Sequence, residues 1–325
     1  MSIQEEIRQE ILRFNQLVQA LESVGASVKK IFENGYIITP SGAPYHEEKS
    51  VWLTLMAVTH GNEVAGISVL CEIASHLLRG GAMPSYPFAL CLGNPEASLV
   101  NKRFVERDLN RSFGRKGQDT LEDKRARELE SLLSQTAYLL DIHQTIEPSE
   151  KPFFIFPYSP KSFEWARQLD QTIPIVTHWG PGFSKDGMCS DEFTNSRGGL
   201  GITIELGQNG FDIFRVSVGF KVAIQAMGVC KSLLEKQNLY QSDRSMDLYT
   251  WGQIIPWPDG EACLDEGWYN FKEVKSGARI GSANGSDILA ECSGPVLFPK
   301  YSSNPRPAEI CRILKRIKPS DLGKN

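Results

Sequence analysis

The sequence predicts a three-layer α/β domain over residues 1–240, built on a mixed, mostly parallel sheet, followed by a small β-rich domain over residues 245–325. Two observations carry this. Strand-length apolar runs alternate with helical patterns up to about residue 240, and nearly every run is apolar throughout, as strands are when helices cover both faces of a sheet. After 238-NLYQSDRSMD-247 the character changes to short alternating segments separated by Gly, Pro, Asn and Asp, and helical periodicity returns only in the last residues.

The elements follow in order. Ile3, Ile7, Ile11, Phe14, Val18 and Leu21 recur at steps of three and four among charged residues, which predicts an amphipathic helix. Those charges interrupt the unbroken apolar core that a signal peptide needs, so the chain is expected to be cytoplasmic. No window approaches the roughly 18 consecutive apolar residues of a membrane span. Strands are predicted at 36-YIIT-39, 51-VWLTLMAV-58, 87-PFALCLG-93, 137-AYLLDIH-143, 153-FFIFP-157, 173-IPIVT-177 and 201-GITIELG-207. Helices are predicted at 64–79, 122–135, 161–169 and 213–237, where the apolar period lengthens to that of a helix. The charged run 122-EDKRARELE-130 reads as a solvated helix face with opposite charges set for pairing one turn apart. Shorter strands at 251–257, 287–292 and 295–299 make up the C-terminal part.

With 325 residues, 41% hydrophobic and 23% charged, the chain can bury a sizeable core. Its net charge of -4 offers no basic field for a polyanion, so nucleic acid is not expected as a partner. The seven cysteines are odd in number and without a C-x-x-C pair. They read as reduced core thiols rather than disulfides or a thiolate zinc site, so a metal here would be held by His and carboxylate.

In an open α/β sheet, functional groups collect where strands end at their carboxyl edge. Four predicted strands end in ionisable groups: His60 and Glu63, the loop 94-NPEASLVNKRFVERDLNRSF-113, Asp141 with His143, and Glu205. A carboxylate within 202-ITIELG-207 faces a partner or a cavity, because a buried unpaired charge costs several kcal/mol. Two imidazoles and one carboxylate fill three positions of a tetrahedral zinc and leave the fourth for water. His60, Glu63 and His143 are therefore the candidate ligands, with Gly61 letting the backbone bend. Glu205 is left to move a proton between that water and the leaving nitrogen. Asp141, two residues before His143 and on the same strand face, is suited either to orienting that ligand or to a structural hydrogen bond. Arg103, Arg107 and Arg111 beside Asn110 bring guanidinium groups that can clamp a carboxylate or stabilise an oxyanion, which implies a substrate with a free carboxylate.

Together H-G-N-E at 60–63, N-P at 94–95, R-x₄-D-L-N-R from 103 to 111, D-I-H at 141–143 and E-L-G at 205–207 resemble the succinylglutamate desuccinylase/aspartoacylase family of zinc amidohydrolases, relatives of the zinc carboxypeptidases. The resemblance covers roughly residues 50–210 and implies the carboxypeptidase-like fold, with one zinc ion on His60, Glu63 and His143. It further implies Glu205 as general base and acid, and Arg103 as the group polarising the scissile carbonyl. Asn110 and Arg111 would hold the amino-acid carboxylate, and Asp108 would be structural. Aspartoacylases carry another arginine shortly before the base glutamate; Arg197 is the nearest here, out of register, and is kept as a candidate substrate contact. Tyr301 lies in the neighbourhood from which the family supplies a substrate-binding tyrosine.

The function expected is zinc-dependent hydrolysis of an N-acyl amino acid, with a small molecule or a short peptide bearing a free carboxylate as partner and no membrane. The alternatives are a carboxypeptidase acting on peptide C-termini and a zinc-fold binding protein without catalysis. Glu205 and Arg103 speak against the last, since binding alone needs neither. A homo-oligomer is compatible with the sequence. His46, His76 and His178 have no motif partner and are expected to be structural or at the surface, and Trp251, Trp257 and Trp268 are expected to pack.

Overall fold

The structure is a computed structural model that describes residues 1–43, 49–117, 119–179, 186–236, 246–301 and 308–323. His46 and the boundary segment 238–245 lie outside the described residues. The helices are α1 (Ile3–Ala20), α2 (Ala65–Leu78), α3 (Pro95–Leu99), α4 (Leu121–Leu133), α5 (Pro160–Leu169), α6 (Ser190–Ser196) and α7 (Ile213–Leu234). The first strands are β1 (Ala26–Phe32), β2 (Gly35–Pro40), β3 (Val51–Ala57), β4 (Phe88–Leu92), β5 (Thr136–Thr145), β6 (Phe153–Pro157), β7 (Ile175–His178) and β8 (Leu200–Gln208). The C-terminal part adds β9 (Leu248–Pro256), β10 (Ala262–Leu264), β11 (Glu273–Val274), β12 (Arg279–Ala283), β13 (Ser286–Leu289), β14 (Gly294–Leu297) and β15 (Glu309–Ile317).

The large sheet has the order β1-β2-β4-β3-β5-β8-β6-β7-β9-β15-β14-β11. From β4 to β7 neighbours are parallel except at the β8/β6 step, where the direction reverses. Helices α1, α2, α5 and α7 pack on one face, and α4 and α6 on the other, which is the predicted three-layer arrangement. The two cores follow the period-2 alternation of the strands. On β5, Leu140 and Ile142 join the α2/α7 core while Leu139 faces the α4 side, which sends Asp141 and His143 to that second face as well. By length and composition α7 could cross a membrane. Here Gly219, Val222, Ala223, Ala226, Met227, Val229 and Cys230 are its buried positions, packed on α2 and the sheet.

Three differences from the sequence-based expectations have physical reasons. First, the β-rich C-terminal part has its own apolar cluster around Ile255, Ile280, Val296 and Ile313, yet it continues the main sheet. β9 pairs in parallel with β7 through Ile175–Leu248 and Val176–Tyr249, and β15, β14 and β11 follow from it. Second, the returning helical period in the last residues is a strand. Ile310, Ile313, Leu314 and Ile317 have helix-compatible spacing, but β15 lies hydrogen-bonded between β9 and β14, and that pairing prevails over local pattern. Third, the charged run at 122–130 is not wholly solvated: Glu122 and Asp123 are buried at the start of α4. Of the histidines, His178 stacks on Trp251 and His76 meets the edge of Phe220, while Trp257 and Trp268 pack in the C-terminal cluster.

Candidate metal centre and active site

β3 ends in a tight turn that throws His60 and Glu63 back over the sheet edge. Val58 takes φ 51, a left-handed conformation costly for a β-branched residue, and such strain gathers where function requires it. Gly61 lies in this turn as expected, but not at a positive φ. Instead its missing side chain admits α3: a Cβ there would lie 2.3 Å from the Ala97 carbonyl carbon and 2.4 Å from the Ser98 nitrogen. The Gly61 N–H donates to the Arg103 carbonyl at 3.0 Å, tying this turn to the arginine loop.

The structure brings His60, Glu63 and His143 together, all buried, with one ligand atom of each within 4.8 Å of the others. His60 Nδ1 lies 2.7 Å from Glu63 Oε1, and His143 Nδ1 lies 2.9 Å from Glu63 Oε2 and 3.2 Å from His60 Nδ1. Each ring is backed on its other nitrogen by a carboxylate: Asp141 Oδ2 is 2.9 Å from His143 Nε2, and Asp108 Oδ1 is 3.2 Å from His60 Nε2. In a neutral ring, a carboxylate beside Nε2 favours the proton on that nitrogen and leaves the Nδ1 lone pair toward the centre. Asp141 is itself held by the Thr59 hydroxyl, 3.0 Å from each oxygen, and by the Ser190 hydroxyl at the start of α6. Burial opposes charge on His143, but Asp141 and Glu63 outweigh it and hold its pKa well above the ordinary value. Burial likewise opposes the Glu63 carboxylate, and His60 and His143 nonetheless keep its pKa below the carboxylate range.

Glu205 faces this cluster from β8, opposite His143 in the β5/β8 register. It is buried, and its Oε2 has no hydrogen-bond partner among the described residues. Burial first, and the Glu63 charge second, push its carboxyl up to about 8. Arg103 stands at the rim with its side chain 32% exposed, Nη1 3.5 Å from Glu63 Oε1 and Nη2 3.2 Å from Asp108 Oδ2. Asp108 caps the short 3₁₀ turn Leu109–Arg111. Beyond it Asn110 Oδ1 accepts from the Ser190 N–H at 2.9 Å, and Arg111 Nη1 lies 3.1 Å from Cys189 Sγ, so both pack toward α6.

Arg197 does not join the group. It caps the end of α6 just before β8 begins, at the opposite end of that strand from Glu205, with its guanidinium 4.9 Å over the Phe193 ring. Tyr301 is engaged with Trp268, donating to its carbonyl at 2.8 Å. Arg107 Nε is buried without a hydrogen-bond partner among the described residues.

Two supporting residues escaped the sequence. Glu122 accepts from the backbone N–H groups of Val105, Glu106 and Arg107 at 2.7, 3.1 and 3.0 Å, and so shapes the loop that carries Arg103. Gln144 donates its backbone N–H to Glu63 Oε2 at 3.0 Å while its side-chain oxygen accepts from Ala65 N at the start of α2. Its position directly after His143 was the one available signal. A cleft of about 620 Å³ between α1, α2 and the start of α7, lined by Glu10, Ser68, Glu72, Phe211 and Phe220, contains none of these groups.

The donor set itself tests the fit of a metal. Two imidazole lone pairs and a carboxylate converging within hydrogen-bond distance repel one another unless a cation or proton lies among them. Neutral nitrogen and carboxylate oxygen donors are what zinc accepts.

Comparison with known proteins adds to this geometry. Residues 50–216 match the family model for the succinylglutamate desuccinylase/aspartoacylase catalytic domain. A succinylglutamate desuccinylase of Serratia proteamaculans is 32% identical over 171 residues, which is 48% of this chain and 51% of that protein. The chain thus spans about half the length of the relatives it matches. Among solved structures, the succinylglutamate desuccinylase of Vibrio parahaemolyticus aligns with TM-score 0.69 and 18% identity over 90% of this chain and 89% of its own. Murine aminoacylase 3 aligns with TM-score 0.63 and 21% identity over 84% and 97%. At such identities these likenesses bear on the fold, which is the zinc-carboxypeptidase-like one expected.

Proposed function

Since the chain belongs to the succinylglutamate desuccinylase/aspartoacylase family, we propose that it is a zinc-dependent hydrolase that cleaves the amide bond of an N-acyl amino acid. The observation that carries this is the pairing of three converged donors with a buried, partnerless carboxylate oxygen on Glu205. When bound, zinc supplies Lewis acidity and lowers the pKa of a coordinated water. His60, Glu63 and His143 would hold it, with Asp108 and Asp141 fixing the rings. Glu205 takes a proton from the attacking water and returns it to the leaving nitrogen, a task suited to a carboxyl whose burial raises its proton affinity. Arg103 is open enough to reach the scissile carbonyl and stabilise its developing negative charge. Asn110 and Arg111 are assigned the amino-acid carboxylate. Seven free thiols, five of them buried, support a reducing, cytoplasmic setting.

Zinc content by elemental analysis, followed by hydrolysis of a panel of N-acyl amino acids before and after chelation, tests this reading. Loss of turnover on chelation and recovery with zinc is expected. A zinc-loaded protein that cleaves C-terminal residues from peptides and ignores the acyl panel would replace it with a carboxypeptidase. A narrower prediction concerns Asp141: Asp141→Asn should weaken zinc binding about 10- to 100-fold, measured by competition with a chromophoric chelator. Equal affinity would leave Asp141 a purely structural residue.

A further inference from the structure

Ser190 occupies the first position of α6, where a backbone N–H has no partner within its own helix. That N–H donates to Asn110 Oδ1 at 2.9 Å. The Ser190 hydroxyl donates to Asp141 Oδ2, the same oxygen that lies 2.9 Å from His143 Nε2. Ser190 and Asp141 are both fully buried. One residue therefore touches the carboxylate behind a metal-site histidine and a side chain assigned to the substrate carboxylate.

The contact with Asn110 fixes an orientation as well as a position. A carboxamide has one acceptor end and one donor end, and only the acceptor can face an N–H. With Oδ1 held by Ser190, the Nδ2 end is left as a donor, and it has no hydrogen-bond partner among the described residues. A free donor on a side chain that is otherwise buried suits a carboxylate.

Backbone contacts hold Ser190 where it can do both. The Met188 N–H donates to the Phe113 carbonyl at 2.9 Å, and a Cβ on Gly187 would lie 2.2 Å from the Arg111 carbonyl oxygen. The segment entering α6 thus runs hard against residues 110–113. A Cβ on Gly201 would lie 2.6 Å from Asp191 Cα, which seats the start of α6 on β8. Backbone meeting backbone on two sides leaves Ser190 little room to move away.

We propose that Ser190 is a positioning residue whose two donors serve the two halves of the site. Its hydroxyl holds Asp141 behind His143, and its backbone N–H turns the Asn110 amide so that a donor is offered to the substrate carboxylate. The second half rests on the reading of the site as an N-acyl amino acid hydrolase.

Three variants of the full chain separate the donors. Ser190→Ala removes the hydroxyl, Ser190→Pro removes the hydroxyl and the N–H, and Ser190→Thr keeps both. Proline suits the first position of a helix, and Cys189, with φ -73 and ψ 166, already has the extended conformation that precedes a proline. Ser190→Ala should weaken zinc binding about 10-fold in competition with a chelator, while Ser190→Thr stays within about threefold of the native chain. Ser190→Pro should raise KM about 10-fold above that of Ser190→Ala, with the kcat of the two zinc-loaded variants within about twofold. Native zinc affinity in Ser190→Ala, equal weakening in Ser190→Thr, or equal KM in Ser190→Ala and Ser190→Pro overturns the proposal. If Ser190→Pro does not fold, Asn110→Asp replaces it, since it keeps the acceptor for the Ser190 N–H and exchanges the donor end for an oxygen. Its KM should rise about 10-fold or more at native zinc affinity, and an unchanged KM overturns the proposal. The zinc measurements need no substrate. If no acyl amino acid is turned over, the hydrolase reading fails, while Ser190→Ala against Ser190→Thr still decides whether Ser190 positions Asp141.

Discussion

Glu205→Gln should bind zinc as well as the native chain and hydrolyse its best N-acyl amino acid about 10³-fold more slowly. The two side chains have nearly the same shape, but the amide cannot accept the proton of the attacking water. Turnover by the variant at the native rate, with zinc in place, would take the proton-transfer role from Glu205. The same variant makes a second, independent measurement possible in the metal-free protein. Burial raises the Glu205 carboxyl from an ordinary 4.5 to about 8, so between those values the folded chain holds a proton that the unfolded chain has released. The stability contributed by the neutral carboxyl is fully present below the unfolded value and is lost as pH rises through the folded one. Gln does not titrate. The Tm of Glu205→Gln minus that of the native chain, both in chelator, should therefore increase from about pH 5 to about pH 9. A flat difference would mean that Glu205 is not desolvated as its position indicates.

Gly61→Ala should be among the most disruptive single-methyl changes in the protein. The added Cβ meets the backbone of α3 at Ala97 and Ser98, not the end of a flexible side chain, so either α3 or the His60–Glu63 turn must shift. The expected cost is about 3 kcal/mol, read as a lowered denaturation midpoint at unchanged m-value. Zinc affinity should fall with it, because the turn that moves carries two of the three ligands. Gly25, where φ is 88 and nothing lies within 4 Å of an added Cβ, is a useful contrast. Gly25→Ala should cost only its backbone strain, on the order of 1 kcal/mol, and leave zinc binding alone. If Gly61→Ala retains native stability and metal affinity, the close approach of α3 does not hold the turn in place.

Much of the site was legible because its chemistry requires particular residue types at strand ends. His60, Glu63, His143 and Glu205 each follow an apolar run, and period-2 alternation already placed Asp141 on the face of His143. Arg197 shows the limit of that reasoning. It is near Glu205 in sequence, but most of β8 runs before Glu205 is reached, and an extended strand separates its residues by about 3.3 Å each. Glu122 shows the converse: it sits in a charged run of solvated appearance, yet its carboxylate takes three N–H groups from a loop of distant sequence.

By itself the sequence determined the three-layer α/β class, most of the strands and helices over the first 236 residues, and the three residues able to hold a metal. Those depend on side-chain period and residue chemistry, which are local. Only the tertiary structure decided that the C-terminal strands extend the main sheet and that Gly61, within its turn, admits the close approach of α3. Each of these is a meeting of segments far apart in the chain, where strand pairing and packing against backbone outweigh the preferences of any short stretch.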